Sequence, residues 1–183
     1  MDCLEAIKTR RSVRQYKDTP VPDEVLNQVL EAARWAPSWA NTQCTRYVVI
    51  RDRSVREKLV ECLNRGNPAT EAIRTAPIVI VACAELGKSG YYKGQASTDR
   101  GEWSMFDVGI AMENLCLAAQ ALGLGTVHVG FIPDSRKLNE VIGVPEGVVA
   151  MEMTPLGYPA ADAKAPPRKE LSEIVFYEKY GKH

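Results

Sequence analysis

The sequence predicts one domain of mixed helices and strands, organised around a strand covered on both faces and a long buried helix. Residues 77–84 form a continuous apolar run rich in β-branched residues, which is typical of a fully buried strand. From about residue 103 to 122, apolar side chains cover nearly the whole circumference of a helix. We therefore expect this helix at the centre of the domain or of an interface. With 183 residues, 45% of them hydrophobic, the chain can build one sizeable core.

The other predicted elements mix helices and strands along the chain. Asp2 is expected to cap a first helix that turns Leu4 and Ile7 inward. The remaining predicted elements are a helix from Pro22 towards Pro37, a helix opened by the capping box 54–57 and closed by Gly66, strands at 47–50, 126–130 and 148–156, and a helix capped by Asp134.

Two segments do not fit a regular element. Residues 86–102 are rich in glycine, serine and mixed charges, so we predict a mobile loop, with or without a short helix, that is a candidate lid. The tail from residue 159 to 183 begins with prolines and basic residues and then turns mildly apolar. Its hydrophobic residues are too sparsely spaced for a stable lone helix, so the tail needs a partner surface.

Composition excludes several classes of function. Lysine plus arginine and aspartate plus glutamate both number 23, so the overall charge favours neither nucleic acid nor a membrane as partner. The five cysteines are widely spaced and lack a Cys-x-x-Cys pair, which argues against a disulfide framework or structural zinc and favours the cytoplasm. The only histidines are His128 and His183, so we expect no metal site. We expect neither a signal peptide nor a membrane-spanning segment.

Three arginines and a serine fall within the five residues Arg10-Arg11-Ser12-Val13-Arg14. Guanidinium groups match phosphate oxygens bidentately, and a serine hydroxyl adds a short donor. Taken alone, the pentapeptide fits a solvated basic turn better than an anion site, since most basic runs are solvated faces. The rest of the chain reverses this preference.

Four segments, in this order and spacing, resemble the nitroreductase family of flavin-dependent oxidoreductases over nearly the whole chain. The first is the arginine stretch, and each segment alone is a weak signal. The other three are Ala36-Pro37-Ser38-x-x-Asn41-x-Gln43, Asp107-x-Gly109-x-Ala111-x-x-Asn114-Leu115 running to Gly123-Leu124-Gly125, and Gly157-Tyr158-Pro159 with Arg168.

This resemblance implies an α+β, nitroreductase-like fold with a central, mostly antiparallel sheet flanked by helices and a long buried central helix. Residues 1–183 would form a single FMN-binding domain within an intertwined homodimer. The segment 86–102 would be a candidate lid loop, and the tail 159–183 would pack on the partner chain. Two FMN molecules would lie at the interface, each touched by both chains.

The resemblance also implies roles for individual residues at the FMN phosphate. Arg10, Ser12 and Arg14 would bind the phosphate, and Arg168 would complete the clamp from the far end of the sequence. Arg11 would reach the flavin ring or its pyrimidine edge.

The resemblance places two further segments near the flavin ring. Pro37, Ser38, Trp39, Asn41 and Gln43 would contact the isoalloxazine, partly from the second chain. By their residue type alone, Ser38 and Asn41 could equally cap a turn without touching a ligand.

The backbone of Val129 and Gly130 would offer an N–H to flavin N5, where a donor favours hydride acceptance. His128 precedes them and could be a proton donor. A lone histidine on a strand is more often a packing residue, and we favour that interpretation.

The implied activity is hydride transfer from NADH or NADPH through bound FMN to an electrophilic small molecule by a ping-pong mechanism. Nitroaromatics, quinones and activated alkenes are typical acceptors of the family. No nucleophile–base pair or glycine-rich nucleotide loop is recognisable, so the flavin would carry the chemistry. The alternatives are an FMN-binding redox sensor or storage protein without significant turnover, a dehalogenase, or a flavin-destroying enzyme.

Overall fold

The computed structural model describes residues 1–182 and confirms the mixture of helices and antiparallel strands. Its helices are α1 (Cys3–Thr9), α2 (Asp23–Arg34), α3 (Arg53–Val60), α4 (Thr70–Thr75), α5 (Ser104–Ala121), α6 (Ser135–Ile142) and α7 (Leu171–Ile174). Its strands are β1 (Thr45–Ile50), β2 (Ile78–Glu85), β3 (Tyr91–Tyr92), β4 (Gln95–Ala96), β5 (Gly125–Thr126) and β6 (Val148–Gly157). Within residues 1–182, no helix combines the length and the apolar character needed to cross a membrane.

The main sheet has the strand order β1-β2-β6-β5, with every neighbouring pair antiparallel. Strand β2 is buried on both faces, as its unbroken apolar sequence predicts. Ile80 and Ala82 pack on one side with residues of α2 and α5, whereas Val79 and Val81 pack on the other with residues of α3, α4 and α6. The sheet is thus an antiparallel layer between two layers of helices, and strand β2 contributes side chains to the hydrophobic core on each face.

The predicted strand at 126–130 is shorter in the structure. Strand β5 ends at Thr126, and pairing with β6 resumes only at a single bridge between Val129 and Met153. The interruption has a local cause: the N–H of Val127 donates to the side-chain hydroxyl of Thr154 (3.2 Å) instead of a backbone carbonyl. The backbone leaves the sheet here, and His128 lies in the gap.

The segment after α1 runs along the edge of the sheet. Val13 donates its N–H to the carbonyl of Thr126 (2.9 Å), and Lys17 donates to that of Tyr158 (2.8 Å). At Gly125 an added Cβ would lie 2.7 Å from the Val13 side chain, so only glycine permits this approach. The fold thereby brings the arginine stretch beside both the 126–130 segment and Gly157-Tyr158-Pro159, which are remote from it in sequence.

Helix α5 is buried on one side only. Val108, Met112 and Leu115 are buried in the core, but Met105 and Phe106 are 70% and 59% exposed. The same is true of α1, where the expectation for Leu4 and Ile7 is wrong: they are exposed, and Ala6 is the buried residue. The apolar surface that the sequence predicted as buried is therefore only partly covered by the chain itself.

The segment 86–102 forms a small closed structure and contains no helix. Strands β3 and β4 pair as a hairpin, and the Glu102 carboxylate accepts the N–H of Gly87 (2.8 Å) at the base. Gly90 has a φ of +86°, and an added Cβ there would collide with the carbonyl of Gly101. These contacts give the segment a defined hairpin, and its mobility and its role as a lid stay predictions.

Near its N-terminal end, α5 holds the loop that precedes β1. Asp107, which is 2% exposed, accepts the N–H of Trp39 (3.0 Å) and the thiol of Cys44 (3.5 Å). Burial and the Asp107 carboxylate raise the pKa of Cys44 to about 11, so the thiol remains a donor at neutral pH. One buried carboxylate thus fixes both ends of the loop 39–44.

We expect Asp107→Asn to lower the free energy of unfolding by about 1–3 kcal/mol, measured by chemical denaturation. The amide keeps one acceptor oxygen but turns an NH₂ group towards a donor. Asp134→Asn is the matched control, because the exposed Asp134 accepts the N–H of Arg136 at a helix N-cap where asparagine serves equally well. Equal losses in the two variants would contradict the role given to Asp107.

Candidate functional site

A partly buried arginine, Arg10, lies in the N-terminal arginine cluster formed by Arg10, Ser12 and Arg14. The Arg10 side chain is only 19% exposed, and its Nε donates to Glu113 Oε1 on α5 (3.1 Å). Its Nη1 is buried and has no acceptor among residues 1–182. Buried polar groups are normally hydrogen-bonded, so this guanidinium N–H is available to an acceptor from outside the chain.

The other residues of the arginine stretch differ in their surroundings. Ser12 and Arg14 are exposed next to Arg10, and Arg14 Nη1 donates to the Ser12 carbonyl (3.2 Å). Arg11 turns back instead, and its Nη1 donates to the carbonyls of Lys8 and Arg10 (2.7 Å each). In this structure Arg11 therefore closes the end of α1 and does not point towards an open site.

The 129–130 backbone offers one free donor. The Val129 N–H is already committed to the Met153 carbonyl (2.9 Å), so it is not available to a ligand. The N–H of Gly130 makes no hydrogen bond within the described chain, and an added Cβ at Gly130 would meet nothing within 4 Å. Of the two residues that the sequence indicated, Gly130 is the one with a usable N–H and open space around it.

His128 lies in a cluster of charged and polar groups. Its Nδ1 lies 3.0 Å from Glu152 Oε2, and its Nε2 lies 3.3 Å from Glu113 Oε2 and 3.5 Å from Cys116 Sγ. These hydrogen bonds, that to Cys116 first, raise the pKa of His128 to about 12, and the hydrogen bond to His128 lowers the pKa of Glu113. An imidazolium held this strongly is a poor general acid near neutral pH, so the geometry favours a structural role over proton donation.

The amide-rich loop is strained. Ala40, Asn41 and Gln43 all have positive φ values, of 45°, 56° and 49°. Non-glycine residues rarely adopt this conformation, and such strain is concentrated at ligand sites. Ser38 Oγ accepts the N–H of Gln43 (2.9 Å), which is the turn-capping role that the sequence left open. The side chains of Asn41 and Gln43 are exposed.

A cleft of about 730 Å³ adjoins this loop. It lies between α2, the loop and β1, and Asp107 of α5 forms part of its wall. Its lining includes Pro37, Ser38, Gln43 and Tyr47. Trp39 is half-buried and lies outside this lining, held by its N–H on Asp107.

The arginine cluster and the amide-rich loop are not brought together within one chain. The cluster is tied to α5 at Glu113, and the loop is tied to the same helix at Asp107. Six helical residues correspond to about 9 Å along the axis and roughly 240° around it. The two groups therefore occupy different faces of α5, and one chain presents two separate halves of the predicted site.

Arg168 lies in the exposed tail. Its Nη1 donates to the carbonyl of its neighbour Pro167 (3.4 Å). Sequence reasoning placed it with Arg10 and Arg14, and within this single chain no hydrogen bond or ion pair ties it to their surroundings. It stays a predicted site residue.

Sequence reasoning missed the partners of His128. The structure places single ligand atoms of Glu113, Cys116 and His128 within 4.8 Å of one another, although no metal site was expected. The spacing Glu113-x-x-Cys116 on one face of a predicted helix was a usable signal. His128 could not be added from the sequence, because only the folded connection after α5 brings it back to that face.

The chain matches known proteins over most of its length. The family model described as Nitroreductase family matches residues 7–158. A protein of Methanothermobacter thermautotrophicus assigned as an NADH dehydrogenase/NAD(P)H nitroreductase is 36% identical over 165 residues, covering 87% of this chain and 78% of that protein. The FMN reductase [NAD(P)H] of Bacillus subtilis is 29% identical and covers 98% of this chain and 74% of its own.

A solved structure agrees with this relationship. A protein of Desulfovibrio desulfuricans assigned as a nitroreductase, crystallised in complex with FMN, superposes with a TM-score of 0.79. It is 28% identical, and the match covers 98% of each chain. The family model, the relatives and the shared fold agree with the order of the four sequence segments: the chain belongs to the nitroreductase family.

Proposed function

We propose that the protein is an FMN-dependent oxidoreductase that uses NADH or NADPH to reduce an electrophilic small molecule. The observation that carries the proposal is the buried, unpaired Nη1 of Arg10 beside the exposed Ser12 and Arg14. A phosphate group would supply the missing acceptor, since guanidinium groups and hydroxyls match its oxygens. The names of the FMN reductase relative and of the FMN complex support the same cofactor.

The residues present fit FMN in three respects. Arg10, Ser12 and Arg14 would hold the phosphate, with Arg168 as a further cation from the tail. Gly130 would give its free N–H to the ring, and its open surroundings allow a planar group to approach the backbone. FMN, when bound, supplies the redox chemistry, passing a hydride from the nicotinamide to the acceptor. The chain would position the ring and direct the N–H dipole of Gly130 at it.

The second half of the site would come from the partner chain of a homodimer. The loop that would contact the ring is anchored to a different face of α5 from the arginines. One flavin would therefore be contacted by the arginines of one chain and the loop of the other. The loop residues concerned are Pro37, Ser38, Trp39, Asn41 and Gln43. The exposed apolar residues of α1 and α5 give the dimer a surface to bury. Strain in the loop would hold its amide side chains ready for the ring.

The tail would add to the same dimer. Its apolar residues Leu171, Ile174 and Tyr177 are 73%, 55% and 63% exposed in the single chain. A segment with this much uncovered apolar surface gains most from packing on a second chain. We therefore assign the tail 159–183 to the partner's surface, apart from its start, where Pro159 bridges Tyr16 and Ala160 donates to the Gln15 carbonyl (2.9 Å) of the same chain. His183 lies outside the described residues.

The acceptor class is the one that the family resemblance implies. A flavin that lies on one chain and is walled by a loop of the other would leave one face open, next to the closed segment 86–102. Planar electrophiles such as nitroaromatics, quinones and activated alkenes would stack there. All five cysteines are free thiols, which suits a cytoplasmic setting.

Arg14→Ala should weaken FMN binding about 10- to 100-fold, because a charge-assisted hydrogen bond to phosphate is lost. Riboflavin, which lacks the phosphate, should bind both proteins with nearly the same affinity. Fluorescence titration of the apoprotein with each ligand measures the two dissociation constants. Arg136→Ala is the control, since Arg136 is an exposed arginine on α6 that should affect neither ligand. Equal losses for FMN and riboflavin would refute the phosphate assignment.

Deleting residues 166–183 should lower dimer stability and FMN content together, because the tail would pack on the partner chain that completes the site. Sedimentation velocity measures the dimer fraction, and absorbance of the released flavin measures occupancy. A truncated protein that stays dimeric and carries a full complement of FMN would show that the tail belongs to neither the interface nor the site.

Initial-rate kinetics should follow a ping-pong pattern, because two planar substrates cannot stack on one open ring face at once. Double-reciprocal plots at several acceptor concentrations should be parallel, and high acceptor concentrations should inhibit competitively against NAD(P)H. Intersecting lines would show a ternary complex and contradict the shared pocket. Stopped-flow mixing measures the rate at which NADH or NADPH reduces the bound flavin. Slow reduction by both would indicate a redox sensor or storage protein instead of an enzyme.

A further inference from the structure

We propose that Glu113, Cys116 and His128 form a binding site for a divalent metal ion of the zinc class. The three residues supply one carboxylate oxygen, one thiolate sulfur and one imidazole nitrogen. These are the ligand types that Zn²⁺ prefers in proteins, and the mixed set of one sulfur, one nitrogen and one oxygen excludes Mg²⁺ and Ca²⁺ as good occupants. The site borders the groups that would hold the flavin, since Glu113 accepts from Arg10 and His128 directly precedes Val129 and Gly130. Its test measures zinc content, which does not require turnover.

The spacing of the ligand atoms matches tetrahedral coordination. Zn–N bonds of about 2.0–2.1 Å, Zn–O bonds of about 2.0–2.2 Å and a Zn–S bond of about 2.3 Å place N and S about 3.6 Å apart and N and O about 3.4 Å apart. The Nε2 of His128 lies 3.5 Å from Cys116 Sγ and 3.3 Å from Glu113 Oε2. The third pair, Cys116 Sγ and a Glu113 carboxylate oxygen, lies within 4.8 Å, against about 3.6 Å in tetrahedral coordination. A movement of the half-exposed Glu113 side chain by about 1 Å or less would let one ion contact all three atoms.

The side chains behind the ligands, Glu152 and Arg10, hold His128 and Glu113 in position, as such groups do around metal ions in other proteins. Metal-bound histidines commonly donate the second ring N–H to a carboxylate, which fixes the tautomer and the ring plane. Here His128 Nδ1 lies 3.0 Å from Glu152, and the Glu152 side chain is only 15% exposed. The Glu113 carboxylate is also held in place: its Oε1 accepts from Arg10 Nε, and its Oε2 lies 3.3 Å from His128 Nε2.

The local backbone keeps the three ligands in place. Glu113 and Cys116 are three residues apart on α5, so they lie on one face of a rigid helix. His128 is fixed by its neighbours, because Val127 donates to Thr154 and Val129 pairs with Met153. A metal ion would thus join α5 to the interruption between β5 and the bridge of Val129 with Met153.

Access and charge also suit an ion. Cys116 is fully buried, but the side chains of Glu113 and His128 are 43% and 34% exposed, so the site opens to the surface on their side. The Glu113 carboxylate and a Cys116 thiolate bring two negative charges against a divalent cation. Glu152 and Arg10 behind them balance one another. Three protein ligands leave a fourth position for water.

The metal ion would compete with protons. Without metal, the same atoms form a hydrogen-bonded cluster in which Nε2 carries a proton shared with Glu113 and Cys116. Binding would displace the proton on Nε2 and the one on Sγ, two protons released to solvent for one divalent ion bound, with no change in oxidation state. The rival to the proposal is therefore a purely hydrogen-bonded cluster that takes no metal.

Equilibrium dialysis of untagged, FMN-loaded protein tests the proposal. The protein is first freed of metal with a chelator, then dialysed against micromolar ZnCl₂, and zinc per chain is measured by mass spectrometry. We expect about one zinc per chain and an increase in Tm of roughly 5–10 °C at a zinc concentration a hundred times Kd. Co²⁺ in place of zinc should give a thiolate-to-metal charge-transfer band.

Matched variants separate the site from general metal binding. Cys116→Ala and Glu113→Gln should each weaken zinc binding at least about tenfold, and Glu152→Gln about 10- to 100-fold through the second ring nitrogen. Cys83→Ala is the control, because Cys83 is an equally buried free cysteine on β2 that packs in the other hydrophobic core, on the opposite face of the sheet from Cys116. Glu113→Gln replaces a half-exposed side chain, so it keeps the test valid if the cysteine variant fails to fold.

Two results would overturn the proposal. One is a wild-type protein that retains less than about a tenth of a zinc ion per chain at micromolar zinc, a concentration at which sites with several protein ligands are filled. The other is equal zinc binding by the wild type and Glu113→Gln, with the cobalt charge-transfer band unchanged in Cys116→Ala. Either result would leave the cluster as hydrogen bonds alone.

Discussion

Helix α5 fixes the distance and the angle between the two halves of the candidate site. It carries Asp107, which holds the strained loop, and Glu113, which holds Arg10. Because an α-helix is rigid over two turns, neither half can turn towards the other. Both carboxylates accept from donors in segments that are remote in sequence, and for the buried Asp107 this is the condition under which a carboxylate is tolerated.

This rigidity makes a second chain the simplest way to complete the site. A two-fold axis would make the contact isologous, so each chain would give its arginine cluster to one flavin and its loop to the other. The face of α5 that carries Met105 and Phe106 is left uncovered by its own chain, as are Leu4 and Ile7. The same exposed surface that would drive association thus lies on the helix that separates the two halves.

The surroundings of His128 decide its chemistry. Two carboxylates and a thiol converge on the ring, and the resulting hydrogen bonds favour the charged form. With Arg10 and His128 positive and Glu113 and Glu152 negative, the cluster balances its own charge, which partly burying four ionisable groups requires. The hydrogen bonds around the ring make His128 a poor general acid. They also bring single ligand atoms of Glu113, Cys116 and His128 close together.

The sequence by itself determined most of the main helices and strands, among them the doubly covered strand β2 and the helix α2, and the segments that carry the family resemblance. Those features depend on local periodicity, on caps such as Asp2 and Asp134, and on motifs that are readable within a few residues. Only the tertiary structure decided that the Val129 N–H donates to the Met153 carbonyl and that Arg11 donates to carbonyls at the end of α1. It also left Leu4 and Ile7 exposed. It also decided that Glu113, Cys116 and His128 meet. These outcomes depend on contacts between segments far apart in the chain, and on whether a given surface is covered, which no local pattern records.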